Sequence, residues 1–200
     1  MPKAFDESEK QKIRVAIMSA GLKHFERAGV RAARIDDICR DVGIAKGSFY
    51  AFFASKEELF MTIVEAREVQ HKADMVAYLD RSTATPQQRA AGFFDLILGK
   101  METDPVLNLV LSSGEIPHLI RKLGPERFAA GQLEDRRFAA EAAGQWGHAE
   151  HRAVNADDLI GLMTIVLCVA SQRRQMTAEQ YAPTVALTRE LFIARMTGSH

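Results

Sequence analysis

The 200-residue chain is short of several things, and each shortage narrows what it is. Two cysteines, Cys39 and Cys168, are too few to staple a small secreted fold, and both are expected as buried free thiols within helices. Six prolines and no visible alternation of apolar with polar residues leave helix as the one strong secondary-structure signal. The longest apolar run, Leu159 to Ala170, is interrupted by Gly161 and is shorter than the roughly 20 residues of a membrane span. The N-terminus has no basic-then-apolar leader and carries Asp6, Glu7 and Glu9, so a cytoplasmic chain without a membrane partner is expected. A Gly-x-Gly-x-x-Gly turn, a phosphate loop and a Gly-x-Ser-x-Gly elbow are all missing. The adjacent acids Asp36-Asp37 and Asp157-Asp158 have no nucleophile at a recognisable spacing; they suit helix starts, where the dipole favours negative charge. Neither catalysis nor a cofactor is expected. His118, His148 and His151 do not suggest a metal, because His148 and His151 fall in an expected surface loop and no cysteine stands at ligand spacing.

What is there concentrates between Arg34 and Phe53. Ile35, Ile38 and Val42 recur at helical spacing, and Asp36 and Asp37 occupy the first turn. Gly43 then offers the left-handed conformation that ends a helix without a side-chain clash, and Ile44 plugs the corner. Lys46 opens a second helix with a cation long enough to reach a phosphate. Ala45, Gly47 and Ser48 keep that surface low, and Tyr50 carries a hydroxyl that can donate to a phosphate oxygen. Phe49, Phe52 and Phe53 supply the apolar side. This is the pattern of a helix-turn-helix, whose second helix enters a DNA major groove.

A helix pair turned by glycine also occurs as an ordinary corner in helical domains, so the flanks matter. Upstream, Ile13, Ile17, Ala20, Gly21, Phe25 and Ala28 mark one amphipathic helix stopped by Gly29. Downstream, Ser55-Lys56-Glu57-Glu58 reads as a capping box, followed by the apolar stripe Leu59, Phe60 and Ile63. The net charge is zero, and within residues 1–60 the cations outnumber the acids only slightly. Affinity for a polyanion then depends on where Arg34, Lys46 and Lys56 lie.

Phe25-Glu26-Arg27-Ala28-Gly29, Ile35-Asp36-Asp37-Ile38, Val42 through Tyr50, Phe53 and Ser55 through Phe60 together resemble the N-terminal domain of TetR-type transcriptional regulators. The resemblance covers roughly residues 10–65 without a gap. It implies an all-α fold: a three-helix helix-turn-helix DNA-binding domain followed by a helical ligand-binding and dimerisation domain. It also implies a homodimer on a palindromic, double-stranded operator, most often a repressor released by a small-molecule effector. An activator, or a ligand-binding helical module in the same fold, is the alternative. The implied DNA-binding residues are Arg34, Ala45, Lys46, Gly47, Ser48, Tyr50 and Lys56. The chain departs from the family at Ala33 and Arg34, where a threonine is frequent, and at Ala51 and Phe52, where histidine and tyrosine are frequent. Those phosphate contacts are absent here.

The expected domains are residues 10–65, with the helix-turn-helix at 34–53, and residues 66–197. The second part carries no diagnostic motif. Its helices are punctuated by Ser82 through Pro86, Asp104-Pro105, Ser112-Ser113-Gly114, Gly124-Pro125, Trp146-Gly147 and Asn155, and a last helix runs from about Ala178 to Met196. Met75, Tyr78, Phe93, Phe94, Met101, His118, Trp146 and Met163 are the candidates for an effector pocket, such sites being mostly apolar with few polar groups. Leu159, Leu162, Met163, Val166, Val185, Thr188, Leu191, Phe192 and Arg195 are the candidates for a dimer interface, since a two-fold axis suits a symmetric operator.

Overall fold

The computed structural model describes residues 6–81, 85–112, 114–150 and 154–198. The chain is all-α: among the described residues there is no strand, and ten helices follow one another. They are α1 (Glu7–Ala32), α2 (Ile35–Val42), α3 (Lys46–Phe49), α4 (Lys56–Arg81), α5 (Pro86–Thr103), α6 (Pro105–Ser112), α7 (Ile116–Leu123), α8 (Pro125–Glu150), α9 (Ala156–Ser171) and α10 (Ala178–Thr197). Two compact units form. The first takes the residues up to Arg67 together with Pro105–Gly124, and the second takes Glu68–Asp104 and Pro125 onward. Helices α6 and α7, which a division at residue 66 assigns to the second domain, therefore pack with the first unit.

Local chemistry sets the helix starts. Asp6 Oδ1 accepts the Glu9 amide at 2.7 Å and Glu9 reaches back to the Asp6 amide, a capping box that opens α1. Thr85 with Gln88 and Thr177 with Gln180 repeat the device at α5 and α10, and Asn155 Oδ1 accepts the Asp158 amide at 2.7 Å to open α9. Gly29 interrupts α1 at a φ of 76°, so the chain turns there toward α2. One expectation fails: α8 does not stop at Trp146-Gly147 but runs to Glu150, so the backbone at His148 is helical rather than looped. A lone glycine near a helix end costs only about 1 kcal/mol against alanine, too little to end it. His151, Ser82 to Ala84 and Ser113 lie outside the described residues.

The first unit is centred on Ile17, Phe25, Ile38, Phe49, Leu59 and Phe60, all fully buried, with Phe25 and Phe60 edge-to-face at 5.4 Å. The second is centred on Phe93, Phe94, Ile97, Trp146 and Phe192. Phe192 lies 5.5 Å from Phe94 and 6.2 Å from Phe93, and the Trp146 indole N–H donates to the Met196 carbonyl at 3.1 Å. Cys39 is buried as expected, but Cys168 is exposed. The stripe of α9 that enters the core is Leu159, Leu162, Val166 and Ala170, and residue 168 falls on the far side of that stripe.

Candidate nucleic-acid interface

The stretch from Arg34 to Phe53 folds as two short helices around a tight corner. Arg34 is the extended residue before α2, its side chain exposed. Gly43 closes α2 in the left-handed conformation, φ 76° and ψ 31°, and the Ile44 amide bonds the Cys39 carbonyl at 3.0 Å. Helix α3 is one turn, Lys46–Phe49, shorter than the apolar pattern through Phe53 suggests. The chain beyond it turns on itself, with the Phe52 and Phe53 amides both donating to the Phe49 carbonyl at 2.9 and 3.1 Å. This turn lets Phe49 and Phe53 both point inward, buried with centroids 5.9 Å apart.

Anchoring of those two rings leaves the opposite side of α3 open. Ala45, Lys46, Gly47, Tyr50 and Ala51 are exposed and Ser48 is half-buried. A Cβ added to Gly47 would meet nothing within 4 Å, so this surface is low and unobstructed. The Tyr50 ring stands edge-on to Phe49 at 5.5 Å with half its surface exposed. Lys46 reaches across the corner to Asp36, its ammonium 3.1 Å from the carboxylate, while Arg40 pairs with Asp37 at 3.0 Å one helical turn away. Burial and the Asp36 carboxylate push the Cys39 thiol up, so it stays protonated and serves as a core residue.

Lys56 differs from expectation. Instead of projecting as a free cation, its ammonium donates to the carbonyls of Arg31 and Ala33, the latter at 3.0 Å. Carbonyls at the end of α1 lack helical partners and draw the nearest cation. The capping box forms, with the Ser55 hydroxyl accepting the Glu58 amide at 3.0 Å, while Glu58 reaches back to the amide of Ala54 rather than Ser55.

Two features of this region escaped the sequence reading. Arg14, on α1, donates to the Phe52 carbonyl at 3.3 Å and lies over the Phe53 ring at 4.5 Å. His24, buried on α1, faces Asp41 of α2 at 2.8 Å, with Arg27 3.4 Å from its other nitrogen. Helix periodicity marks neither, since a backbone carbonyl has no sequence signature and a buried histidine reads as polar.

Residues 17–63 match the family described as bacterial regulatory proteins, tetR family. That segment, which holds the helix-turn-helix, is similar to the DNA-binding part of TetR-type regulators. A segment of 60 residues is 37% identical to an uncharacterized HTH-type transcriptional regulator, YhgD, of Bacillus subtilis (strain 168), covering 29% of this chain and 31% of that protein. The match thus spans under a third of that relative's length. Solved structures extend the likeness of fold to nearly the whole chain. A TetR-family regulator from Syntrophomonas wolfei superposes with a TM-score of 0.69 at 15% identity, over 96% of this chain and 98% of that one. FadR of Bacillus subtilis, solved in complex with stearoyl-CoA, gives 0.59 at 15% identity, over 93% and 99%.

Most of the remaining candidates lie in the second unit. Met75, Phe93, Phe94, Met101 and Trp146 are buried there, and Met163 is half-buried. Tyr78 stacks on Phe93 at 6.2 Å, its hydroxyl donating to the Arg89 carbonyl at 3.3 Å. His118 does not join them. It belongs to α7 in the first unit, where it is hydrogen-bonded to the buried carboxylate of Glu57 at 3.1 Å. The interface candidates also divide. Leu159, Leu162, Val166, Thr188 and Phe192 are buried within the single chain, and Met163 and Val185 are half-buried. Arg195 is exposed but pairs with Asp158 of α9 at 2.6 Å, holding that carboxyl below its usual range. Only Leu191 is an exposed apolar residue of the set, and Ile165 and Leu187, not singled out from sequence, are exposed beside it in kind. Helices α9 and α10 are apolar around much of their circumference, so periodicity alone does not select the inward stripe.

Proposed function

We propose that this chain is a TetR-type, homodimeric, sequence-specific regulator that represses from a palindromic operator and is released by a small-molecule effector. The observation that carries the reading is the open face of α3. Small residues there allow close approach, Lys46 and Tyr50 supply donors for phosphate oxygens, and Ala45 and Ser48 meet base edges while Phe49 and Phe53 hold the turn from behind. Arg34 adds a cation at the edge of α2, and Lys56 acts chiefly by fixing the end of α1.

Ile165, Leu187 and Leu191 form the apolar contact between protomers, with more than half of each side chain's residue surface exposed. A two-fold axis there presents two copies of α3 to half-sites about 34–36 Å apart or a small multiple of it. The effector enters among the aromatic and methionine side chains of the second unit, and its binding shifts α4, which leads from the first unit into the second. A ligand moves this balance only through its differential affinity for the bound and released states, on the order of 1–3 kcal/mol of coupling. Lipophilic and aromatic compounds suit such a lining. The stearoyl-CoA complex of a protein of similar fold adds acyl-CoA thioesters to the compounds worth trying.

The test is selection of duplexes from a random library by the purified protein, followed by Lys46→Ala on the enriched sequence. Enrichment of a palindrome is expected, with Lys46→Ala weakening specific and scrambled duplexes alike and reducing the salt slope by about one unit. A protein that enriches nothing is not this regulator. Sedimentation of the double variant Leu187→Glu with Leu191→Glu is expected to show a folded monomer; a wild type already monomeric at micromolar concentration overturns the dimer.

A further inference from the structure

We infer that Arg14 is a positioning residue for DNA reading: through the Phe52 carbonyl and the Phe53 ring it sets the angle at which α3 presents Lys46 and Tyr50. The inference rests on the regulator reading above and goes further by naming what aims the reading turn.

A one-turn helix has almost no stability of its own, because the cost of fixing its dihedrals is not offset by further hydrogen bonds. The orientation of α3 is therefore decided from outside. Gly43 fixes its entry. Its exit is fixed by Phe49 and Phe53 below and by Arg14 at the end of the turn. Phe53 is only three residues from Tyr50, and the Phe49 carbonyl accepts the amides of both Phe52 and Phe53, so a shift of Phe53 is transmitted directly to the segment that carries Tyr50. Arg14 holds this point twice. One guanidinium nitrogen donates to the Phe52 carbonyl at 3.3 Å, and the guanidinium carbon lies over the Phe53 ring, 4.5 Å from its centroid. A cation at the carbonyl end of a helical turn meets the negative end of its dipole, and the same cation over a ring meets the negative face of the aromatic quadrupole.

Only arginine does both at once. Its planar fork donates in one direction while its face stacks in another, whereas an ammonium offers a compact point charge. The partner on the turn is a main-chain atom, so the restraint acts on the backbone itself. Arg14 lies 38 residues from Phe52 on another helix and is half-buried, so its charge is spent inside the domain. This separates it from Lys46 and Tyr50, which are exposed for direct contact.

The experiment uses the full chain, with the duplex that the wild type enriches from a random library and a scrambled duplex of equal length. Arg14→Lys keeps the charge and removes the double contact. Affinity for the enriched duplex is expected to fall about tenfold, with the scrambled duplex changed less than about twofold and the salt slope unaltered. Hydrogen exchange at the Ala51, Phe52 and Phe53 amides is expected to quicken while the amides of α1 and α4 keep their protection. Phe53→Leu, which retains bulk and loses the ring face, is expected to reproduce the loss of discrimination in part. Equal weakening on both duplexes with a salt slope reduced by about one unit would make Arg14 a phosphate contact and overturn the inference. Unchanged discrimination overturns it as well, as does exchange that quickens through the whole first unit, which makes Arg14 a general stabiliser. If the wild type enriches no duplex, the regulator reading fails and takes the inference with it.

Discussion

The two units solve the same problem, burying aromatic side chains among helices, with helices of different length. In the first, the helices that matter are one or two turns long and are held through main chain: Arg14 of α1 reaches the Phe52 carbonyl beyond α3, and Lys56 secures the carbonyls of Arg31 and Ala33 where α1 leads into α2. In the second, long helices pack ring on ring, with Tyr78 and Trp146 each also donating to a carbonyl, and ion pairs join side chains far apart in sequence: Arg189 with Asp95, Arg173 with Glu102, Lys72 with Asp135. Exposed pairs of that kind contribute little each, with a median of about 0–1 kcal/mol. The difference teaches that the first unit is built to fix the direction of a small surface, and the second to bury a cluster of rings while Ile165, Leu187 and Leu191 stay exposed.

The largest effect that tests this contrast lies in the cores. Phe93→Ala in the second unit and Phe60→Ala in the first each remove a ring that is fully buried, and each is expected to cost about 3–5 kcal/mol. Trp146, the only tryptophan, is buried in the second unit and reports its unfolding by fluorescence in urea. If Phe93→Ala leaves the Trp146 transition in place, the aromatic cluster is not what holds that unit.

High pH gives the next effect, confined to the second unit. Burial and the Glu102 carboxylate beside it push the Tyr181 hydroxyl up to about 12. A raised value in the folded state contributes stability that is complete below the unfolded value near 10 and is lost as pH rises toward 12. Stability is thus expected to fall by about 2 kcal/mol over that window, with a shallower fall in Tyr181→Phe. Equal slopes for the two proteins would remove Tyr181 from the account.

Smaller again are the caps. Thr85→Ala at α5 and Ser55→Ala at α4 are each expected to cost about 1 kcal/mol by thermal melting. The contrast sharpens if Ser55→Ala also weakens DNA binding, because α4 begins just beyond the reading turn, whereas Thr85→Ala does not. Smallest in stability is Gly47→Ala, which has open space around the new methyl and is expected to change stability by no more than about 1 kcal/mol, toward greater stability. Its operator affinity is expected to drop all the same, and an unchanged affinity would place DNA elsewhere than against Gly47.

Much of the first unit was legible because short-range rules govern it. Gly43 can be read as a helix end, Ser55 as a cap and Asp36-Asp37 as a first turn, since each acts within four residues. Contacts made to main chain from far along the sequence were not legible, as with Arg14 and Lys56. Nor was the membership of α6 and α7 in the first unit, where Glu115 pairs with Arg31 at 3.2 Å and His118 with Glu57. In the second unit the helices were readable but their rotation was not. Val166 is buried and Ile165 exposed, yet the two residues differ by a single methylene and stand side by side. Which of them faces inward depends on the packing of α9 against α5, α8 and α10, and no local pattern records that.

The Lys46–Asp36 pair has a consequence for how this protein would find its site on a genome. A bare cation on the reading surface would adhere to any phosphate it met and hold the molecule on wrong sequences. Here the phosphate competes with a carboxylate already in place, so the gain from each random encounter is lowered by what such an exposed pair is worth, about 0–1 kcal/mol. With a net charge of zero over the whole chain, hold on featureless DNA rests on local donors such as Arg34 and Tyr50 rather than on a general basic field. Residence at a wrong site is expected to be shortened to that extent, which favours release and recapture over sliding. Only a sequence that engages the full face of α3 retains it.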